Sequence, residues 1–269
     1  MPTTPSNSAF ELQNVSVAYP SGLGLDGVDL RIDAGEAVGL VGPSGAGKST
    51  LLRLLNGTLR PTEGRVLVGG VDLTELSTAE LRRLRSRLGA VHQDLRLVPN
   101  LRVVRNVLLG RIGQLSFFGA LRLMMLPSRE SVRQVHTLLQ RVGIADKLFE
   151  RTDRLSGGEQ QRVAIARALY QEPMALLADE PLASLDPARS RDLLQLLHNL
   201  CGEGGITLCT SLHDLDVARD YLPRLVGLRG GRVIFDRPTE TLGDEDFHGL
   251  YDLHGPDGPR GKAGPGDGG

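Results

Sequence analysis

The chain has 269 residues, of which 40% are hydrophobic, and its formal net charge is -1. This length suits one large α/β domain or a core with a smaller subdomain, and the apolar fraction is enough for a buried core. A chain with so little net charge offers no basic surface, so we expect no nucleic-acid partner.

Other composition features bear on where the protein works. No apolar stretch approaches the ~20 residues that cross a bilayer. The most apolar stretch, residues 115–126, is shorter than that and contains Arg122. The N-terminus is polar, so we expect no secretory signal. Cys201 and Cys209 form no Cys-x-x-Cys pair and are expected to be reduced core cysteines of a cytosolic protein. Any membrane connection should therefore run through a partner protein.

Hydrophobic periodicity predicts strands first, then helices, and then an alternation of the two. The predicted strands are residues 10–18, 28–32, 37–41, 64–68, 174–178, 206–211 and 225–228. The predicted helices are residues 48 to about 56, 79–87, 103–109, 129–142, 192–200 and 215–221. This order is typical of a parallel α/β core that is interrupted by a helical insertion.

Residues 22–27 fit Gly-x-Gly-x-x-Gly, a pattern found in dinucleotide-binding proteins. The pattern leads into a strand, however, and a dinucleotide site needs a helix N-terminus at this point for the pyrophosphate. We therefore predict a turn here and no dinucleotide site.

Residues 42–49 fit Gly-x-x-x-x-Gly-Lys-Ser between a predicted buried strand and a predicted helix. In that context, backbone N–H groups can surround phosphate oxygens, the lysine can reach the β- and γ-phosphates, and the serine hydroxyl can ligate Mg²⁺. A chance glycine turn is the alternative. The predicted nucleotide-binding residues are Gly42, Pro43, Ser44, Gly45, Ala46, Gly47, Lys48, Ser49 and Thr50.

An apolar strand that ends in two acids supplies the expected partners of this loop. Asp179 follows the strand at residues 174–178 and is suited to hold Mg²⁺ together with Ser49. Glu180 is placed to orient or deprotonate an attacking water. Solvated acids after a strand are the alternative.

A second anion-binding feature begins at Ser156. Residues 155–162 read Leu-Ser-Gly-Gly-Glu-Gln-Gln-Arg and open a helix that continues to Tyr170. Ser156 is a typical N-cap, and Gly157 and Gly158 leave backbone N–H groups bare at the positive end of the helix dipole. A capped helix without a ligand is the alternative.

These motifs, taken in order, resemble the ABC ATPases over roughly residues 10–235. The stretch from Leu155, followed by Val-Ala-Ile-Ala-Arg-Ala-Leu, is similar to the signature of that family. The resemblance implies an α/β fold, with a P-loop NTPase core, an antiparallel β subdomain and a helical subdomain at roughly 90–165. Residues 10–240 would form the ABC ATPase domain, and 241–269 a C-terminal extension. Residues 255–269 consist of Gly, Pro and charged residues, and we expect them to be disordered.

The resemblance also assigns roles to single residues. It implies that Tyr19 stacks on adenine and that Gln93 approaches Mg²⁺ and the γ-phosphate. His213 would contact the γ-phosphate beside Glu180, and residues 184–186 would reach across a dimer. Tyr19 packed on the core, and His213 as an ordinary histidine after a strand, are the alternatives.

A second copy of the chain is the first implied partner. In the family, the phosphate loop of one copy and Ser156, Gly157, Gly158 and Glu159 of the other enclose ATP. The resemblance further implies membrane permease subunits, a solute-binding protein acting indirectly, and a peripheral location on the cytoplasmic face of the cell membrane. Hydrolysis would then be coupled to transport by closure of the dimer.

Residues 93–113, 142–156 and 210–235 are most similar to the phosphonate import ATPases. This implies uptake of phosphonate or a related phosphorus oxyanion. Two alternatives stay open: a non-transport ABC ATPase that serves a phosphonate-breakdown complex, and an importer of another solute such as an amino acid. Phe117 and Phe118 match no family position, and either a partner contact or packing within the helical subdomain would explain them.

Overall fold

The structure, a computed structural model, describes residues 8–20, 22–182 and 186–251. The strands in these ranges are β1 (Ser8–Tyr19), β2 (Gly22–Asp33), β3 (Ala37–Val41), β4 (Glu63–Val68), β5 (Val71–Asp72), β6 (Leu88–Val91), β7 (Ala175–Asp179), β8 (Thr207–Ser211), β9 (Arg224–Arg229) and β10 (Arg232–Pro238). The helices are α1 (Lys48–Leu55), α2 (Thr78–Arg85), α3 (Val103–Leu108), α4 (Phe117–Met125), α5 (Arg129–Arg141), α6 (Gly157–Tyr170), α7 (Pro187–Gly204), α8 (Leu215–Tyr221) and α9 (Asp244–Tyr251).

The central sheet has six strands in the order β10-β9-β3-β8-β7-β6. All neighbours pair in parallel except β10, which pairs antiparallel with β9. The register aligns Ser211 with Leu40 on one side and with Asp179 on the other. The carboxyl ends of β3, β7 and β8 therefore meet at one edge of the sheet, where α/β proteins bind their ligands.

A second sheet, with strand order β2-β1-β4-β5, is antiparallel. Phe10 and Ile32 of this sheet share one apolar cluster with Leu40 of β3 and Leu54 of α1. The antiparallel sheet thus covers α1 and one face of the central sheet. This arrangement confirms the predicted P-loop core with an antiparallel β subdomain.

The glycine-rich stretch at residues 22–27 is not a turn, so that prediction was wrong. It belongs to β2 and pairs with β1, with Tyr19 opposite Gly22 and Val17 opposite Leu25. Register shifts between Val15 and Ala18 of β1 absorb the irregular glycine backbone, as bulges in antiparallel pairs do. At Gly24, an added Cβ would lie 2.5 Å from the ring of Tyr19, so the missing side chain makes room for that ring.

All the predicted helices are present, and α7 is longer than predicted at both ends, from Pro187 to Gly204. Asp186 caps it by accepting a hydrogen bond from the N–H of Arg189, and proline is favourable in a first helical turn. Five elements were not predicted: β5, β6, β10, α4 and α9. β6 is a four-residue strand directly after α2, and its short apolar run carries no alternation of its own.

Between β6 and β7 the chain is mostly helical, from Val103 to Tyr170. Val135 and Leu139 of α5 pack with Ile165 of α6 in a second apolar cluster, which reaches Leu176 on the other face of the central sheet. The helical insertion is thereby confirmed, whereas its limits at roughly 90–165 stay a prediction.

Cys201 and Cys209 are both buried and form no disulfide, as expected. Burial raises the pKa of each thiol to about 12, which keeps both protonated and unreactive. In the described part of the chain, no helix combines the length and the apolar character that a bilayer crossing requires. The predicted disordered tail at 255–269 lies outside the described residues.

Candidate active site

The phosphate loop joins β3 to α1 and needs glycine at two positions that α9, β9 and β2 surround. Gly42 has φ 145°, and a Cβ there would lie 2.1 Å from the carbonyl oxygen of Leu228. Gly47 has φ 108°, and a Cβ there would lie 2.7 Å from the carbonyl oxygen of Gly24. Backbone conformations with positive φ are accessible to glycine at little cost. The loop therefore fits only without side chains at these two positions.

Lys48, the first residue of α1, is buried beneath this loop. Its Nζ donates to the carbonyl oxygens of Gly42 at 2.7 Å and Pro43 at 3.2 Å. Burial lowers the pKa of Lys48, while the nearby carboxylates of Glu180 and Asp179 act in the opposite direction. The ammonium group is thus fixed inside the loop and faces both acids.

Ser49 and Asp179 meet as predicted, because the carboxyl end of β7 lies beside the start of α1. The Oγ of Ser49 donates to Oδ1 of Asp179 at 3.0 Å. A hydroxyl and a carboxylate are ligands that suit Mg²⁺, which usually retains waters and substrate phosphates as its other ligands. Among the described residues, no group of three or more His, Cys, Asp or Glu side chains is placed to hold a metal ion by itself.

Ser211, at the end of β8, was not singled out from the sequence. Its Oγ donates to Oδ1 of Asp179 at 2.8 Å and accepts from the N–H of Glu180 at 2.9 Å. Ser211 is fully buried, so this hydroxyl orients both acids from within the protein. Only the register between β7 and β8 brings Ser211 to this place.

Glu180 and His213 form a direct pair. His213 Nε2 lies 2.6 Å from Oε1 of Glu180. Glu180 has φ 49°, an uncommon conformation for a residue other than glycine. Backbone strain of this kind is concentrated at functional sites, where the surrounding structure holds it in place. The strained turn after β7 directs the Glu180 side chain toward His213.

Gln93 leaves the sheet at the same edge. It follows β6, in which Val91 is aligned with Ala178 of β7, so Gln93 and Glu180 lie equally far along the chain from this aligned pair. The Gln93 side chain is exposed to solvent. The structure thus brings Gln93 to the edge of the phosphate loop and the acids.

Tyr19, at the end of β1, lies beside the start of α1. Its hydroxyl is 3.4 Å from the Oγ1 of Thr50, and the ring packs over Gly24. The ring is half-buried, so one part of it stays accessible next to the loop. Tyr19 also packs against the apolar cluster of the antiparallel sheet, which is the alternative named above, and its stacking on adenine stays a prediction.

The first turn of α6 carries the second predicted anion site. Ser156 Oγ accepts from the N–H of Glu159 at 3.4 Å, and Glu159 accepts from the N–H of Ser156 at 2.8 Å, which is a complete capping box. The hydrogen bonds from Ser156 lower the pKa of Glu159. A Cβ at Gly157 would meet open space, so the backbone at this turn is accessible. No described contact joins this turn to the phosphate loop of the same chain.

Gln161 connects α6 with the acids. Its Nε2 donates to the carbonyl oxygen of Pro181, the residue after Glu180, at 2.9 Å. The sequence motif contained Gln161, but nothing in the pattern indicated this contact. Of the predicted dimer-contact residues 184–186, Asp186 caps α7, and the other two lie outside the described residues.

Tyr251, the last residue of α9, also reaches the loop. Its hydroxyl accepts a hydrogen bond from the N–H of Gly42 at 3.2 Å. The two residues are 209 positions apart, so no sequence pattern could have indicated their contact. An edge-to-face contact of Phe247 with Phe235 holds α9 in place.

Comparison with known proteins identifies the family to which the chain belongs. Residues 25–183 match the family model described as ABC transporter. The chain belongs to this family. It is accordingly a nucleotide-binding ATPase of the ABC type.

Curated relatives cover most of this ABC ATPase. A phosphonates import ATP-binding protein, PhnC 3, of Halalkalibacterium halodurans is 45% identical over 90% of this chain and 93% of the relative. A phosphonates import ATP-binding protein, PhnC, of Alcaligenes faecalis is 44% identical over 91% of this chain and 88% of the relative.

Solved structures agree with the fold. The dimeric, post-hydrolysis structure of the ATP-binding cassette MJ0796 bound to ADP and Pi is 33% identical, with a TM-score of 0.75 over 86% of this chain and 98% of the other. The structure of cbiO1 from Clostridium perfringens, part of the ABC transporter complex cbiONQ, is 31% identical. Its TM-score is 0.77 over 93% of this chain and 96% of the other.

Proposed function

We propose that the chain is the ATP-binding subunit of an importer that takes up phosphonate or a related phosphorus oxyanion. The observation that carries this proposal is the 45% identity, over 90% of the chain, to a phosphonates import ATP-binding protein. The likeness includes nearly the full length of both proteins, so the two are expected to serve the same kind of assembly.

The phosphate loop binds the triphosphate of ATP in this proposal. Lys48, held by two loop carbonyls, would turn toward the β- and γ-phosphates and neutralise the charge that develops on them. Ser49, Asp179 and Gln93 would hold Mg²⁺ at the same edge. The hydroxyl and the carboxylate already lie 3.0 Å apart. When bound, the metal ion would supply positive charge that stabilises the phosphates.

Glu180 and His213 orient and deprotonate the attacking water. A carboxylate oxygen of Glu180 accepts the proton of the water as it attacks the γ-phosphate. His213, 2.6 Å from that carboxylate, fixes its orientation and faces the γ-phosphate from the end of β8. Ser211 keeps Asp179 and Glu180 in register, so that metal binding and proton transfer act on the same phosphate.

The turn at Ser156, Gly157, Gly158 and Glu159 is proposed to complete the site of a second copy. No described contact joins the phosphate loop and the α6 turn within one chain. If two copies meet head to tail, the loop of one copy and the turn of the other can bind the same nucleotide. The cassette MJ0796 is dimeric in its post-hydrolysis structure, which supports this arrangement. Tyr19 would stack on the adenine of the nucleotide that the loop binds.

The proposed assembly places this subunit peripherally on the cytoplasmic face of a cell membrane. Permease subunits dock on it, and a solute-binding protein acts indirectly through them. We assign residues 10–240 to the ATPase domain, with the helical subdomain at roughly 90–165, and 241–269 to a C-terminal extension. Closure of the dimer moves the region of Gln93 and thereby acts on the permease.

Stimulation by ligand tests the substrate. The complex, reconstituted with its permease and solute-binding protein, should hydrolyse ATP faster when an alkylphosphonate is added. An amino acid or a sugar should have no effect. Stimulation by an amino acid, with none by phosphonate, phosphite or phosphate, would contradict phosphonate import and leave the ABC ATPase intact. Stable co-purification with a phosphonate-cleaving enzyme complex and no permease would favour the accessory function instead.

A further inference from the structure

Helix α4 and its flanks carry most of the exposed large apolar side chains in the described part of the chain. They account for six of eleven such residues. The six are Leu115, Phe117, Phe118, Leu121, Met125 and Leu126. Contiguous exposed apolar surface of this kind marks an interaction site, because water-facing apolar area is otherwise unfavourable.

The helix has two distinct faces. Leu123 is half-buried against the helical core, and Phe117 and Phe118 lie on the outward side. These two rings are 76% and 79% exposed and contact each other edge to face at 5.7 Å. Packing of Phe117 and Phe118 within the helical subdomain, the alternative left open above, is therefore wrong. No residue of α4 is fully buried.

The chain segment that contains this face carries one sign of charge as far as Arg129, and the first acid after it, Glu130, pairs with Arg133. Residues 95–129 contain six arginines and no Asp, Glu or Lys. Two of these arginines pair with acids outside the segment: Arg96 with Asp94 and Arg111 with Glu172. Arg122, on α4, and Arg129, just after it, are exposed and take part in none of the ion pairs between described residues. The apolar face is thus bordered by cations that face solvent.

We propose that α4 inserts its outward face into the headgroup region of an anionic phospholipid bilayer. The proposal rests on the proposed function, which brings the subunit to a membrane. A helix with Phe, Leu and Met on one side and arginines beside them matches interfacial helices, which lie in the plane of the membrane surface. Arginines near the surface add attraction to anionic lipid.

Length and surface chemistry favour lipid over a protein partner. The nine residues of α4 span about 14 Å, which suits a helix lying in the interface and excludes a bilayer crossing. The outward side chains between Phe117 and Leu126 offer only one hydrogen-bonding group, the guanidinium of Arg122. A specific protein interface usually has several such groups in its rim, whereas a lipid surface requires none. Membrane contact of this subunit is then direct, in addition to any contact through a permease.

Vesicle sedimentation with the full chain tests this surface. The probes are phosphatidylcholine vesicles with and without phosphatidylglycerol. The wild type should bind the anionic vesicles, more weakly at high salt, and Phe117→Ser/Phe118→Ser should weaken that binding at least about tenfold. Ile234→Ser removes an exposed apolar side chain on β10 and is the matched control, with unchanged binding. Arg122→Ala should reduce the preference for anionic lipid.

ATPase activity verifies that the variants are folded, because none of these residues belongs to the nucleotide site. Absence of wild-type binding to anionic vesicles would overturn the proposal, as would equal binding by the double variant. If the double variant instead lost only its association with purified permease, the face would belong to a protein partner and the lipid proposal would fail. Vesicle binding is measured without any transported ligand. A failure of the lipid proposal can therefore be distinguished from a failure of phosphonate import, which the ligand-stimulation experiment tests.

Discussion

The carboxyl edge of the central sheet and the first turn of α6 both bind phosphate in the proposed cycle, but they are built differently. At the sheet edge, Asp179 receives hydrogen bonds from two serines, and Glu180 pairs with a histidine. At α6, the capping box of Ser156 and Glu159 is local, and the glycine beside it faces open space. The first region is a connected network within one chain. The second is a helix end that, in the proposed cycle, a second copy completes.

In the proposed dimer, this difference explains why neither region would suffice for hydrolysis. The network at the sheet edge fixes the groups that act on the γ-phosphate, but nothing described covers the loop from outside. The α6 turn offers N–H groups, and the carboxylate of Glu159 in this turn is engaged with Ser156 in the capping box. In a dimer that brings the two regions together, hydrolysis would depend on the association of the two copies. This dependence is the physical basis for coupling hydrolysis to movement.

The largest expected effect comes from removing the proton acceptor, Glu180, from the network at the sheet edge. Glu180→Gln keeps the shape of the side chain but removes the proton acceptor, so turnover should fall by about 10²–10⁴ while ATP binding persists. Because the nucleotide is no longer cleaved, ATP and Mg²⁺ should then hold a stable dimer in size-exclusion chromatography. Glu130→Gln, an exposed acid on α5, is the control. A variant that binds ATP and stays monomeric would contradict the two-copy site.

Lys48→Ala should lower the ATPase rate by about a hundredfold or more, since the cation facing the phosphates is lost. Arg53→Ala, which removes an exposed cation from the same helix, should change the rate little. Steady-state phosphate release measures both. A Lys48→Ala rate within about threefold of the wild type would show that the loop does not act on the triphosphate.

A comparison of two helix caps tests whether the α6 turn contacts nucleotide. Ser156→Ala and Ser128→Ala each remove an N-cap serine, and each should cost about 1 kcal/mol of stability. For a domain of this size both should lower Tm by roughly 2–4 °C. Only Ser156→Ala should also reduce ATPase activity, by about tenfold, because only that turn meets nucleotide. Equal activity of the two variants would separate the capping role from any nucleotide contact.

The smallest effect is expected at Tyr251. Tyr251→Phe retains the ring and removes the acceptor of the Gly42 N–H, a loss of about 1 kcal/mol in the order of the loop. We expect KM for ATP to rise about threefold to fivefold with kcat nearly unchanged. Tyr221→Phe changes a half-buried tyrosine of α8 that makes no hydrogen bond through its hydroxyl to another described residue. Identical kinetics of the two variants would mean that α9 does not order the loop.

Much of the site was predictable because its parts are local. The loop from Gly42 to Ser49, the acids after an apolar strand, and the Ser156 cap each need only a few neighbouring residues to define their geometry. Periodicity likewise located β3, α1 and α8 closely. The glycines at 22–27 were misinterpreted since the same residues suit a turn and a bulged strand, and only pairing with β1 distinguishes the two.

The sequence alone therefore determined the proposed chemistry: which chain segment would surround phosphate, which acids follow it, and which helix opens with bare N–H groups. The tertiary structure decided which residues that are far apart in the sequence contact each other. Ser211 joins the acids through the β7–β8 register, Tyr251 reaches Gly42 from 209 residues away, and Phe117 and Phe118 face outward. Local backbone preferences extend over a few residues, whereas strand register and the exposed side of a helix depend on packing that the whole chain must complete.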